Sequence, residues 1–392
     1  MSKRRGRGEG NIRQRADGRW EARLTLPEGG GVKSIYARTR QEARAKLTAT
    51  LREADLGAPI VRDERLTVAR YLGDWLERKR ANLRPRTHRR YGEHLAHITH
   101  AVGGLTLTKL TPTRLDRLYS ALQQPPEGQE GQEGENAEPL SPTTVHHTHV
   151  VLKQALADAV RHGLLARNPA AQVKPPRVRQ VEMHTLTVEQ ARTLLVAARE
   201  DRLEAVYVLA LTTGMRQGEL LALRWRDVDL DTGILQVRGT LAYIARRGWV
   251  IGQPKTARSR RRIELSAEAV AALRRHKARQ AQERLAAGAV WAHGAIAPDL
   301  VFCNEIGWQL EGGNMRRRQY RRLLERAGLP IIRFHDLRHT AATLMLLQGI
   351  HPKVVSERLG HASVSITLDR YSHVLPSMQR DAAALIDKAL FA

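Results

Sequence analysis

The chain has 392 residues, long for a single core and enough for two or three. Its 65 Lys and Arg stand against 40 Asp and Glu, a formal net charge of +25 that favours a polyanionic partner, nucleic acid before an anionic membrane. No run approaches the roughly 20 apolar residues of a spanning helix, Met1 to Arg5 leads into no apolar signal core, and Cys303 is the single cysteine; these exclude an intrachain disulfide or a Cys-based zinc cluster and predict a cytoplasmic protein with no membrane attachment.

Met1 to Gly10 is a Gly/Arg-rich tail with too little apolar surface for a core, expected to stay mobile until it meets phosphate. Trp20 to Leu26 alternates apolar and polar between turn residues, Asp17-Gly18 before it and Pro27 to Gly31 after it, and Val32 to Tyr36 adds a third antiparallel strand. Thr39 stands three residues before Glu42, a capping box opening a helix through Ala43, Leu47 and Leu51. Residues 1–58 are thus expected to form a small three-stranded sheet plus a helix. Arg13, Arg15, Arg19 and Arg23 on its exposed strand positions suit a DNA groove, although solvated strands also carry arginine for solubility alone.

Residues 64–172 carry four stretches of helical periodicity: Val68-Leu72-Trp75-Leu76, Tyr91-Leu95-Ile98, Leu115-Leu118-Leu122 and Val145-Val151-Leu152-Leu156-Val160 predict four helices. Between the third and fourth, residues 123–139 are rich in Gln, Glu, Gly and Pro and are expected to be a flexible insertion that tolerates deletion. A Pro/Arg/Val linker, Val173 to Val181, precedes a third unit over residues 184–392, opened by Thr187 with Gln190 at capping-box spacing. Its strands are predicted at 234–237, 241–244, 249–251 and 263–265, before a helix capped by Ser266, with Cys303 in a buried strand. The fold class is therefore multidomain α+β: a small sheet-plus-helix domain, an all-helical domain, and a mostly helical domain with a small antiparallel sheet.

The third unit carries the chemistry. His335-Asp336-Leu337-Arg338-His339 opens an apolar helix, and helical spacing puts His335, Arg338 and His339 on one face. A zinc site of the His-Glu-x-x-His kind is the competing reading; Arg338 on the same face would repel the cation, and the shorter Asp336 would sit farther from a metal-bound water. His-x-x-Arg instead offers an imidazole and a forked guanidinium to one phosphate group. Arg216 falls where an apolar helix breaks at Gly214 and another begins, a position where a cation opposes the helix dipole, so ligand anchoring accounts for it better than stability; Glu219 either orients it or forms a surface ion pair. Lys255, after Pro254 at an expected hairpin tip, leads the basic run Lys255 to Arg262; such runs are usually solvated faces, but a lysine crowded by arginines is also lowered toward acid duty. Tyr371 follows His361 by ten residues, and taken alone it would be a core or interface residue.

Taken together, Thr213-Gly214-Met215-Arg216-Gln217-Gly218-Glu219-Leu220, His335-x-x-Arg338, Leu359-Gly360-His361 and Tyr371 resemble the tyrosine recombinase (phage integrase) family, in the family's order. The resemblance covers nearly the whole chain: residues 1–58 look like an arm-type DNA-binding domain, and the helical unit, ending in Asn168-Pro169, looks like a core-binding domain; the 123–139 insertion departs from the pattern. It implies a site-specific recombinase that integrates and excises a phage or other mobile element without metal or other cofactor. Tyr371 is the implied nucleophile and forms a 3′-phosphotyrosyl link. Arg216 and Arg338 hold the non-bridging oxygens, His361 donates a further hydrogen bond, Lys255 protonates the leaving 5′-oxygen, and His335 accepts or polarises the tyrosine proton. Asp336 and His339 are assigned structural or supporting roles. The implied partners are double-stranded DNA at core-type and arm-type sites, three further protomers in a homotetramer, and DNA-bending or excision accessory proteins. The stripe Ala382, Leu385, Ile386, Ala389 and Leu390 either packs in cis or docks on a neighbouring protomer. A type IB topoisomerase and an inactive DNA-binding regulator are the competing classes.

Overall fold

The computed structural model describes residues 11–25, 32–55, 65–124, 139–178, 183–244, 247–253, 260–293, 295–371 and 378–391. The chain divides into two compact units, Met1–Gln180 and Val181–Ala392.

In the first unit, β1 (Asn11–Gln14), β2 (Trp20–Thr25) and β3 (Val32–Ala37) form an antiparallel meander in that order. Gly18 turns the first hairpin at φ +79°, a conformation glycine adopts without strain. Helix α1 (Arg40–Asp55) starts where the Thr39 hydroxyl accepts the Glu42 N–H, and Ala43 and Leu47 pack on Ala22, Leu24 and Ala37. On the other sheet face the register sets Arg13 and Tyr36 beside Glu21, whose buried carboxylate accepts hydrogen bonds from Ser34, Arg13 and Arg23. The Ser34 hydrogen bond leads the effects that lower this carboxyl to about 2. The Gly/Arg tail, Met1 to Gly10, lies outside the described residues.

The four predicted helices are present as α2 (Val68–Lys79), α3 (Pro85–Val102), α4 (Pro112–Ala121) and α5 (Pro142–Arg161). Thr67, Thr111 and Ser141 cap α2, α4 and α5 through their hydroxyls, and proline opens α3, α4 and α5, where its missing N–H costs no helical bond. Their apolar stripes close one core around Tyr71, Trp75, Ile98, Leu115, Leu152 and Leu156. Within it Asp158 accepts the Trp75 indole N–H at 2.8 Å and pairs with Lys79 and Arg161. The Asn168 side chain caps the turn Pro169–Gln172 and donates to the Lys153 carbonyl. Most of the predicted insertion, 125–138, lies outside the described residues; at its borders the Leu140 N–H donates to the Leu122 carbonyl at 2.8 Å.

The second unit begins with α6 (Val188–Ala197), which carries the full Thr187/Gln190 capping box, followed by α7 (Glu204–Thr213) and α8 (Gln217–Leu220). Helix α7 is apolar all round because it runs through the core, among Leu220, Leu235, Ile263, Leu273, Phe302, Leu323 and Leu337. The strands differ from the expected single sheet. Strands β4 (Val228–Asp229), β5 (Ile234–Val237) and β8 (Arg261–Glu264) form one antiparallel sheet with β5 in the middle, whereas β6 (Thr240–Ile244) and β7 (Gly248–Gly252) form a separate hairpin. The expectation that Lys255 stands at a hairpin tip falls on residues 254–259, which lie outside the described residues. Cys303 is buried, but in an isolated bridge to Gln309 in place of a strand.

After α9 (Ala267–Ala287), capped by Ser266, α10 (Gly312–Asn314) continues through a π-helical stretch, Met315–Tyr320, into α11 (Arg321–Arg326). The chain then forms α12 (Asp336–Leu347), α13 (Pro352–Leu359), α14 (Val364–Tyr371) and α15 (Met378–Phe391). No helix among the described residues is long and apolar enough to cross a membrane.

Candidate active site

Helix α7 stops because Gly214 turns left-handed at φ +64°, and a Cβ there would lie 2.3 Å from the Leu359 side chain, so both backbone and space call for glycine. Two residues on, extended backbone delivers Arg216 to the head of α8. Its side chain is 40% exposed and is aimed by Glu219, whose carboxylate accepts Nη1 at 2.9 Å and the Arg216 backbone N–H at 3.0 Å. Glu219 is buried, so the orienting role holds over a surface ion pair. Arg261, on β8, completes the lock: Nη2 donates to Glu219 at 2.9 Å and Nε to the Arg358 carbonyl at 2.6 Å. Burial pushes the Glu219 carboxyl up, but Arg261 and then Arg216 outweigh it and hold the group below its ordinary value.

Arg338 enters from the first turn of α12. It is 3% exposed and donates Nη1 to the Gly214 carbonyl at 2.6 Å, while Nη2 is buried with no hydrogen-bond partner among the described residues. Burial, followed by the charge of Arg216, lowers it to about 9. An arginine drawn down by desolvation with one donor unmatched is a seat for an anion. His361 follows Gly360, the left-handed cap of α13 whose carbonyl accepts Arg216 Nη2 at 3.3 Å. The His361 imidazole is hydrogen-bonded to Thr367 at 2.8 Å and kept neutral, to about 3, by burial and then by Arg338 and Arg216.

Tyr371 closes α14. Its ring is buried with Ala342, Leu346, Val355 and Leu359, and its hydroxyl lies 2.6 Å from Nδ1 of His339. Burial raises the phenol above its ordinary value, against the pull of Arg338 and Arg370. His335 is the N-cap of α12, and its ring stands edge-on to His339 with centroids 5.0 Å apart. Desolvation, then Arg338, lowers its imidazole. Asp336 is structural, as expected: it accepts the Arg333 backbone N–H and guanidinium.

Of the sequence-predicted set, the structure links Arg216, Arg338 and His361 through the Gly214 and Gly360 carbonyls, with Tyr371 and His335 meeting at His339. Lys255 lies outside the described residues. Two groups at the site are less legible in the sequence. Arg261 was one cation of a basic run, yet it stands two residues before the buried Ile263 and so shares its inward strand face, a period-two signal that was available. His339 was assigned a supporting role, and it is His339 that contacts the tyrosine hydroxyl. A cleft of about 490 Å³ beside Arg261 is lined by Arg238, Arg260 and Arg262 with Gln236 and Gln253.

Clustered cations, a guanidinium donor unmatched among the described residues and a sequestered tyrosine, in a mostly helical unit that follows a separate helical bundle in the chain, define a site-specific DNA strand transferase of the tyrosine class. Residues 184–378 match the phage integrase family model and residues 67–174 the phage integrase SAM-like domain. The chain is 30% identical to a tyrosine recombinase XerC-like protein of Caldanaerobacter subterraneus subsp. tengcongensis, over 91% of each chain. The fold is similar to the integrase of the Tn1549 transposon in complex with transposon right-end DNA (TM-score 0.65, 20% identity, 83% of this chain and 100% of that one). It is also similar to a lambda integrase tetramer bound to a Holliday junction (TM-score 0.53, 18% identity, 91% and 96%). The chain belongs to the phage integrase family of tyrosine recombinases.

Proposed function

We propose that this recombinase cuts and rejoins DNA through a 3′-phosphotyrosyl link to Tyr371, integrating and excising a mobile element. The observation that carries the reading is the buried Arg338 with an unmatched donor, a site whose electrostatics call for a phosphate. Arg216 and Arg338 neutralise the non-bridging oxygens of the transition state, and neutral His361 adds a hydrogen bond. His335 acts beside them, polarising the reacting groups, and Lys255 protonates the departing 5′-oxygen. Because one ester replaces another, the bond energy is conserved and religation needs no nucleotide.

Residues 1–58 are proposed as an arm-type DNA-binding domain, with Arg13 and Arg23 ordered by Glu21, residues 64–172 as the core-binding domain, and residues 184–392 as the catalytic domain. Strand exchange then involves double-stranded DNA at two core sites and four protomers, as in the lambda integrase tetramer, assisted by DNA-bending or excision proteins. On α15, Ile386, Leu390 and Phe391 are exposed, and their burial on a neighbouring protomer is the proposed link. Deleting residues from 378 onward is expected to abolish synapsis in a crosslinking assay and to leave binding by single protomers measurable.

The test is covalent capture. The protein is incubated with sheared DNA of its source organism in EDTA and denatured, and DNA still attached is sequenced, with Tyr371→Phe in parallel. Reads piled at one locus and lost in the variant are expected. Scattered covalent reads support a topoisomerase, and none above the variant, with DNA binding intact, supports a regulator. Loss of the adduct on chelation, restored by zinc or magnesium, rejects the metal-free mechanism.

A further inference from the structure

We infer that His339, not His335, is the group that takes the Tyr371 proton when the nucleophile attacks. The inference rests on the recombinase reading above. Among the described residues the Tyr371 hydroxyl makes one hydrogen bond, to His339 Nδ1 at 2.6 Å, and the two rings meet at 5.9 Å between centroids. The surroundings fit a proton relay better than a packing contact. The groups facing His339 are His335, Asp336 and Arg338 from its own helix and Tyr371 and Arg370 from α14. The carboxylate among them, Asp336, is bonded to Arg333, and its pull on the His339 imidazole is outweighed. Burial, then His335, keeps the imidazole neutral, down to about 4, which leaves Nδ1 free to accept and the tyrosine as O–H. Burial also raises the phenol, so without an acceptor it does not ionise near neutral pH.

A DNA phosphate seated on Arg338 brings negative charge beside this pair and raises the basicity of His339, tying activation to DNA binding. In the step itself the Tyr371 oxygen forms its bond to phosphorus as its proton passes to Nδ1. The P–O5′ bond breaks with its electron pair on the 5′-oxygen, which is protonated by Lys255. Religation runs the same transfers backwards.

His339→Asn separates the roles, because the amide oxygen can accept the tyrosine hydrogen bond at the Nδ1 position and cannot take its proton. The probe is a synthetic duplex carrying the locus recovered by covalent capture, and the readout is the rate of adduct formation against pH. The variant is expected to form adduct about 100-fold or more slowly at neutral pH, the scale of general-base catalysis, with unchanged melting and DNA affinity. It should recover as pH rises, and also when position 371 carries a difluorotyrosine whose phenol ionises more easily. If the asparagine variant melts differently from the natural protein, the rescue by high pH and by the fluorinated tyrosine is measured within that variant, well below its melting temperature. Equal rates for natural protein and variant overturn the role of His339 alone. A slow variant that neither high pH nor the fluorinated tyrosine rescues makes His339 structural and overturns it too. No adduct with the natural protein overturns the recombinase reading and this inference with it.

Discussion

Both the helical unit and the catalytic unit bury charge, and they do so for opposite ends. In the helical unit Asp158 is surrounded by the Trp75 indole, Lys79 and Arg161, so the buried anion is answered inside the protein. In the catalytic unit Glu219 is likewise answered, by Arg216 and Arg261, but Arg338 beside it keeps an amino nitrogen unmatched among the described residues and is drawn down to about 9. A matched buried charge specifies a fold, and an unmatched one reserves a place for a ligand of opposite sign.

The largest effect is expected where the charge is unmatched. Arg338→Met removes the guanidinium that seats the DNA phosphate and neutralises the phosphorane-like transition state, so adduct formation should fall by about 10³-fold or more. Thermal unfolding should move by no more than about 1 kcal/mol, because losing the Gly214 hydrogen bond is offset by relief of a buried cation. A steep loss of stability alongside the loss of activity would show that Arg338 is structural and break the comparison.

Next in size is Glu219→Gln, measured by urea unfolding. Removing the carboxylate from between two arginines should cost about 3 kcal/mol at neutral pH. The sign with pH follows from the lowered pKa. The unfolded chain takes up the proton first as pH falls, so the stabilisation is full above the ordinary glutamate value of 4.5 and is lost as pH drops through the lower folded value. The cost of the substitution should therefore shrink in acid, and a cost independent of pH would mean that the ion pairs contribute little.

These two positions also show how far the sequence reached. Arg216 was marked in the chain by the helix break at Gly214, whereas Tyr371, taken alone a core or interface residue, was singled out only by the resemblance that the four motifs carry together. Helix periodicity alone made the bundle legible, and the Thr67, Thr111 and Ser141 caps went unread. Pairing was less legible: β5 with β8 and β6 with β7 is a choice between sheets that alternation cannot make, since each strand alternates equally well in either. His339 was hidden by its neighbours. Three candidate ligands on one turn of α12 share a face, and only the position of α14 decides which imidazole meets the tyrosine.

Asp158→Leu should cost about 2 kcal/mol, less than Glu219→Gln. Arg161 is mostly exposed and Lys79 partly so, and water can take over both; the buried Trp75 N–H is the group left stranded. Adduct formation per folded molecule should not change. If cleavage fell with stability unaltered, Asp158 would belong with the reactive charges and the division between the two units would fail.

The smallest effect is expected from replacing residues 125–138 with a short Gly-Ser link. The flanking chain is already closed by the Leu140 to Leu122 backbone hydrogen bond, and Leu122 and Leu140 both pack on the helical core, so the ends need no further tether. Loop-closure entropy changes by only about 0.6 kcal/mol for each doubling of length, and urea unfolding should therefore shift by less than about 1 kcal/mol, toward stability. The segment also carries Glu127, Glu130, Glu133, Glu135 and Glu138 without a lysine or arginine. Removing five negative charges from a DNA-binding protein should tighten non-specific binding, most at low salt, because repulsion between exposed charges is screened beyond about 10 Å at 0.1 M. A marked loss of stability would place packing residues within 125–138, whereas looser DNA binding would make the acidic segment a contributor to the complex and no longer a neutral insertion.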